Sequence, residues 1–177
     1  GPGTRPAEIA EAVEAGVGEV VLEPVGGAVP ADRAARALGR RQRVLIRLAP
    51  SEVPKGFGDR MAGRPCAFGI DVETMHAEVP AILGLAGLEV VGLHIYSGTQ
   101  CLVPAAICAN WRLFMTIFRE VADRHDLAPR KLVLGSGLGI PHFDSDAPLD
   151  LAAVAGGIRD ELAAFAAEPR FRGARLL

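Results

Sequence analysis

Glu89-Val-Val-Gly-Leu-His-Ile-Tyr-Ser-Gly-Thr-Gln100 and Lys131-Leu-Val-Leu-Gly-Ser-Gly-Leu-Gly-Ile140 are the stretches from which the rest of the chain can be read. Each begins as a run of strand formers and ends in small, hydroxylated or glycine positions. Such a strand end presents backbone N–H groups at the carboxyl edge of a parallel sheet, where α/β proteins hold anions. Two of these mouths in one chain point to a phosphorylated ligand.

Working outward, apolar runs recur at Val17 to Pro24, Arg43 to Pro50, Glu89 to Gly98, Lys131 to Gly139 and Ala174 to Leu177. Between them, Pro6 to Ala15, Pro30 to Leu38, Thr74 to Leu85, Pro104 to His125 and Leu149 to Ala167 repeat alanine, leucine and charge at helical spacing. This alternation predicts parallel strands joined by crossover helices. Asp150, and Pro6, Pro30 and Pro104, suit helix starts. Trp111, Phe114 and Phe118 fall at helical spacing and are expected to pack on the sheet. Ser51 to Ala67, rich in Gly and Pro, is either an ordered loop over one rim or a mobile one.

The strands also alternate in character. Val91, Leu93 and Ile95 form one set and Gly92, His94, Tyr96 and Gly98 the other; Val44, Ile46 and Leu48 oppose Leu45 and Arg47. The branched sets should face helices, which turns His94, Tyr96 and Arg47, with Glu23 of the first strand, toward a barrel lumen. Polar groups facing inward near the strand ends are what the active rim of a (β/α)₈ barrel requires. The fold expected is therefore α/β, part of a (β/α)₈ TIM barrel.

Composition narrows the partners. The 177 residues carry 19 Lys and Arg against 21 Asp and Glu, a formal charge of −2, with no basic block to mark a nucleic-acid or anionic-membrane partner. Mean hydropathy is +0.26, yet no apolar run reaches the ~20 residues that span a bilayer. Small metabolites are the expected partners. Cys66, Cys101 and Cys108 are odd in number and contain no Cys-x-x-Cys pair, which fits a reducing cytoplasm and argues against a disulfide framework or structural zinc. Cys101 has no readable His and acid partners and reads as an inert core residue. His76, His125 and His142 are scattered along the chain without metal-ligand spacing, so no metal site is expected. His142-Phe-Asp144 reads as a rim loop that could border the site. The chain begins at Gly1 instead of Met and has no signal-peptide pattern, so residues are expected upstream.

At this point the residues resemble the fold-type III pyridoxal-phosphate decarboxylases, the alanine racemase-like group that includes the diaminopimelate and ornithine decarboxylases. Gly1-Pro-Gly3, Val44-Leu-Ile-Arg47, Phe68-Gly-Ile-Asp71, Gly92-Leu-His-Ile-Tyr-Ser-Gly-Thr-Gln100 and Leu134-Gly-Ser-Gly-Leu-Gly139 occur in the family's order. The His-x-Tyr-x-Gly-Thr-Gln variant is similar to a subgroup tied to natural-product and exopolysaccharide gene clusters, some of which act on an aminoacyl group held by an acyl-carrier protein. The resemblance implies pyridoxal 5'-phosphate as cofactor, an amino acid or carrier-bound substrate, and a homodimer of the full-length protein.

It also implies roles. Gly135, Ser136, Gly137 and Gly139 match the phosphate loop, and Thr99 matches a hydroxylated residue gripping the same group. Tyr96 stands where many relatives stack a histidine on the pyridine ring, which a phenol ring can also do. His94 matches a second lumen-facing histidine, and Arg47 a strand arginine suited to a phenolate or carboxylate. Ala67 replaces a basic residue of many relatives. The family's cofactor-attaching lysine falls before Gly1, its Glu-Pro-Gly-Arg motif after Leu177, and its C-terminal β-domain beyond that. Residues 1–177 are thus expected to be a partial pyridoxal-phosphate barrel domain, silent in catalysis alone.

Plainer readings stand beside these. Gly135 to Gly139 could be a tight turn without a ligand, His94 and Tyr96 a hydrogen-bonded core pair, and Arg47 an internal ion pair with Glu23. A barrel that carries the cofactor without decarboxylating, or a phosphate-binding barrel of other chemistry, are the competing functions.

Overall fold

Residues 4–63, 67–135 and 137–177 are described by the structure, a computed structural model. In chain order the elements are α1 (Pro6–Glu14), β1 (Val20–Leu22), α2 (Val25–Ala37), β2 (Gln42–Ala49), β3 (Ile70–Asp71), α3 (Met75–Leu83), β4 (Leu88–Tyr96), α4 (Pro104–Arg124), β5 (Lys131–Gly135), α5 (Leu151–Ala167) and β6 (Arg175–Leu176). All strand pairings are parallel, in the order β1-β2-β4-β5-β6, with β3 beside the carboxyl end of β2. A parallel sheet with its crossover helices is the predicted architecture, an open sheet whose outer edges are β1 and β6.

One face of this sheet makes the core. Val44, Ile46 and Leu48 of β2, Leu93 and Ile95 of β4, and Leu132 and Leu134 of β5 pack with Ala28, Ala31 and Ala35 of α2, Val79 and Ile82 of α3, and Phe114, Phe118 and Val121 of α4. Phe114 and Phe118 are fully buried and Trp111 is partly buried against the same core, as their helical spacing predicts. Burial of a large side chain contributes roughly 1.5–3 kcal/mol, so this face supplies most of the favourable free energy of folding. The other face carries Leu45, Arg47, Gly92, His94 and Tyr96.

Three boundaries differ from expectation for identifiable reasons. The second helix starts at Val25, not Pro30: Pro30 lies inside it, where its missing N–H leaves one helical hydrogen bond unmade. β3 was not foreseen because two residues show no periodicity. The third concerns Val91, which was expected to share a face with Leu93 and Ile95. A register shift against β2, where Val44 pairs with Val90 and Leu45 with Gly92, inserts one residue. Val91 is thereby turned out of the helix-packed core, although it stays buried.

The shift also explains Gly92. A Cβ built there would lie 1.9 Å from the Lys131 carbonyl oxygen and 2.9 Å from Leu45 Cδ2, so β4 and β5 approach more closely than any side chain permits. Gly92→Ala must push the two strands apart and is expected to cost about 3 kcal/mol, at the upper end of overpacking effects. A fall in the urea midpoint with an unchanged m-value checks it.

Candidate functional site

Beyond Tyr96 the chain stays extended through Ser97, Gly98 and Thr99, then passes Gln100 in a left-handed conformation with φ 56°. Beyond Gly135 it turns through Gly137, φ 57°. The two segments are hydrogen-bonded to each other: Cys101 N–H donates to the Gly137 carbonyl at 2.9 Å, and Gly139 N–H to the Cys101 carbonyl at 2.9 Å. A Cβ on Gly137 would sit 2.1 Å from the Gly98 oxygen and 3.0 Å from Thr99 Cα; one on Gly139 would sit 2.8 Å from the Gln100 carbonyl carbon. Thr99 and the glycine turn are therefore neighbours at one end of the sheet, as joint contact with a single anion requires.

The donor set is narrower than the motif implies. Thr99 N–H donates to Asp59 O at 3.1 Å, and the N–H groups of Cys101 and Gly139 are used between the two segments. Gly139 accordingly contributes space and not a donor. The N–H groups of Gly137 and Leu138 make no hydrogen bond among the described residues. Ser136, assigned to the same turn by sequence, lies outside the described residues, as do Gly1-Pro-Gly3 and Cys66.

On the inner face, Arg47 of β2 is the register partner of His94 on β4, and Tyr96 that of Gly135. A Cβ on Gly135 would fall 2.4 Å from Tyr96 Cδ2, so the phenol ring occupies the room that glycine leaves. Arg47 forms the internal ion pair: Nη1 lies 2.7 Å from Glu23 Oε1, with the two side chains 11% and 10% exposed. Nη2 reaches the Tyr96 carbonyl at 3.5 Å, and the guanidinium stacks 4.9 Å from the Phe68 ring centre. Arg47 thus ties the end of β1 to β4 and to the segment before β3.

His94 and Tyr96 do not form the hydrogen-bonded pair. His94 Nδ1 is buried and has no hydrogen-bond partner among the described residues. Burial, and then the positive charge of Arg47, bring its pKa down to about 4, so the ring is neutral at ordinary pH. A neutral imidazole with an unused nitrogen on the inner face can donate to or accept from a ligand, its tautomer following the ligand.

Of the 51–67 segment, the described residues 58–61 are bonded to the chain beyond β4. Arg60 pairs with Gly98 in an antiparallel bridge, Gly58 N–H donates to Thr99 O at 2.8 Å, and Met61 N–H to Ser97 O at 2.8 Å. Two further groups escaped the sequence. Ser97 and Asn110 of α4 are both fully buried and bonded to each other, Asn110 Nδ2 lying 2.9 Å from Ser97 Oγ; a polar residue in an otherwise apolar helical stripe was the available signal. Gln100 extends its amide to the His142 ring, and the Asp146 carboxylate accepts from the backbone N–H groups of His142 and Phe143 at 2.9 and 3.0 Å, which holds its pKa low. His142 and Asp144 are exposed rim residues. Cys101 is fully buried, its thiol pushed up by burial, as an inert residue should be. His76 and His125, scattered in sequence, are in contact on the outer surface.

Two predictions follow from the inner face. Unfolded His94 titrates near 6.5 and folded His94 near 4; as pH falls through that interval the unfolded chain takes up a proton that the folded chain refuses. Stability should be constant with respect to this group above pH 6.5 and decline between 6.5 and 4 by at most about 1.4 kcal/mol per pH unit, then level. His94→Gln should flatten that part of a pH series of urea melts. Glu23→Gln should destabilise by roughly 3 kcal/mol, since it leaves Arg47 buried without its counter-charge. Glu23→Gln combined with Arg47→Met should recover most of that loss in the same melts.

Comparison with known proteins fits this geometry. L-glutamyl-[BtrI acyl-carrier protein] decarboxylase of Niallia circulans is 28% identical over 163 residues, covering 90% of this chain and 37% of the relative. Diaminopimelate decarboxylase from M. jannaschi superposes with a TM-score of 0.79 at 20% identity, over 99% of this chain and 41% of that one. PipY of Synechococcus elongatus PCC7942, solved with PLP bound, superposes at 0.56 and 20% identity, over 73% and 55%. These structural likenesses carry the fold alone, the parallel α/β arrangement described above. The chain spans little more than a third of the length of its curated relative. Residues 1–175 match the family "Pyridoxal-dependent decarboxylase, pyridoxal binding domain", and the chain belongs to that family.

Proposed function

We propose that the protein to which this chain belongs decarboxylates an amino acid, free or carried on an acyl-carrier protein, with pyridoxal 5'-phosphate, and that residues 1–177 form part of its cofactor-binding barrel. The observation that carries the reading is the junction of Thr99 with the glycine turn, where the N–H groups of Gly137 and Leu138 are unused among the described residues and where Gly137 and Gly139 admit no side chain. The Thr99 hydroxyl and these two N–H groups would hold the phosphate, with Ser136 assigned by sequence alone.

Bound there, the cofactor supplies an electron sink for the bond pair left behind when carbon dioxide departs. This chain's residues do the holding. The Tyr96 ring, seated on Gly135, offers a flat apolar surface to an aromatic ring. Neutral His94 offers a hydrogen bond without charge. Arg47, already balanced by Glu23, keeps the inner face near neutrality and fixes the carbonyl side of Tyr96. The lysine that attaches the cofactor is assigned by resemblance to a strand before Gly1, so residues 1–177 by themselves are proposed to bind without turnover. A cytoplasmic homodimer completes the reading, with the composition and the family resemblance as its support.

A barrel that carries the cofactor without decarboxylating remains the second reading. The more extensive likeness to the diaminopimelate enzyme than to PipY favours the first.

In the complete polypeptide, pyridoxal phosphate is expected to bind more tightly than pyridoxal by about tenfold or more, some 1.4 kcal/mol. Thr99→Val should erode that difference and leave pyridoxal binding unchanged, as read by equilibrium dialysis. Equal affinity for the two compounds would overturn the phosphate assignment. Carbon dioxide release from amino acids, offered free and on a carrier protein, separates decarboxylase from carrier barrel.

A further inference from the structure

Away from the mouth, one titratable cluster is assembled from distant parts of the chain: His76 in the first turn of α3, with Glu120 and His125 at the end of α4. His76 Nε2 lies 2.9 Å from Glu120 Oε1, and His76 Nδ1 lies 3.0 Å from His125 Nε2, the two rings tilted by 43°. A carboxylate only accepts, so His76 must donate from Nε2. A single hydrogen can then lie between the imidazoles. Either His125 donates it to a neutral His76, or a protonated His76 donates it to the bare nitrogen of His125. With both rings protonated, two N–H groups point at each other across 3.0 Å.

We infer that His76, Glu120 and His125 form an acid-opened clasp between α3 and α4, which holds while the imidazole pair carries at most one extra proton and releases the first turn of α3 when it takes the second. The contact joins residues 49 positions apart, and water reaches it, with His76 35% and Glu120 54% exposed. The surrounding charges do not replace it. On the α3 side, Glu73 precedes the helix and Glu78 accepts from the Thr74 hydroxyl at 3.1 Å. On the α4 side, Asp123 and Asp126 are both bound to Arg170, at 2.8 and 2.9 Å, while Arg124 adjoins His125 and opposes its protonation. Burial and His76 act on His125 in the same direction, which delays the second proton to below the usual histidine range.

The sign follows. A histidine whose folded pKa is lowered loses its contribution to stability as pH falls, so the clasp is closed at neutral pH and opens in acid. The opening acts on α3, which follows β3 directly and so lies on the chain just after Phe68, the ring beneath Arg47.

The test uses the complete polypeptide, with EDTA present so that divalent cations do not occupy the imidazoles. Titration of labelled histidine resonances from pH 8 to 4.5 should show His76 and His125, identified by loss of their signals in His76→Gln and His125→Gln, titrating as a coupled pair in two steps. Amide exchange across residues 75–83, corrected for its intrinsic pH dependence, should quicken by about tenfold or more through the second step. In His125→Gln that acid-dependent change should disappear. Independent titration of the two rings at ordinary values overturns the proposal, as does an equal acid response of α3 in wild type and His125→Gln. If His125→Gln does not fold, His76→Gln replaces it, and the titration of the unaltered protein decides alone.

Discussion

The parallel seating of β4 between β2 and β5 is the constraint on which the remaining structure depends. Its helix-facing set closes the core, its inner set carries His94 and Tyr96, and its extension past Tyr96 meets the turn beyond β5. The register against β5 is held by the close approach at Gly92, where the Lys131 carbonyl occupies the volume of the missing side chain. Because side chains alternate strictly along a strand, a slip of one residue would send His94 into the core and Leu93 to the inner face. Gly92 lies at one end of this pairing and the Tyr96 and Gly135 partnership at the other, so the strand is fixed at both ends of the segment that bears the site.

The inner face is balanced charge by charge along its length. At the amino ends of the strands Glu19 meets Lys131 and Glu89 meets Arg130; at the carboxyl ends Glu23 meets Arg47. His94, between them in character, is kept neutral by burial and by Arg47. Such pairs add little net stability where they remain partly solvated, and their greater effect is to orient groups that burial would otherwise penalise. The groups left unpaired near the strand ends among the described residues are chiefly dipolar: the N–H groups of Gly137 and Leu138 and the imidazole of His94, beside the Tyr96 ring.

Much of this was legible in the sequence, because parallel strands buried on one face write their alternation plainly. Leu93 and Ile95 against His94 and Tyr96 came from period two alone, whereas the closeness of Thr99 to Gly137 was implied by the family resemblance, composition marking only two separate strand ends. Val91 was misplaced because a one-residue register shift has no compositional mark. Pro30 misled because proline reads as a helix-start signal, whereas here it lies inside α2. The commitment of Gly139 N–H to Cys101, the Ser97 and Asn110 pair and the meeting of His76 with His125 all join residues far apart in the chain. No local pattern encodes such encounters; they follow from how α4 is laid across the sheet.

The junction at the strand ends forms only where two separate segments touch, and α4 lies between them in the chain. During folding it can therefore close only after β4, α4 and β5 have docked, because loop-closure entropy must first be offset by the core beneath. A chain emerging from synthesis would lack this junction until β5 is in place. Any ligand that prefers the finished junction would then act as a thermodynamic latch on the last step of assembly.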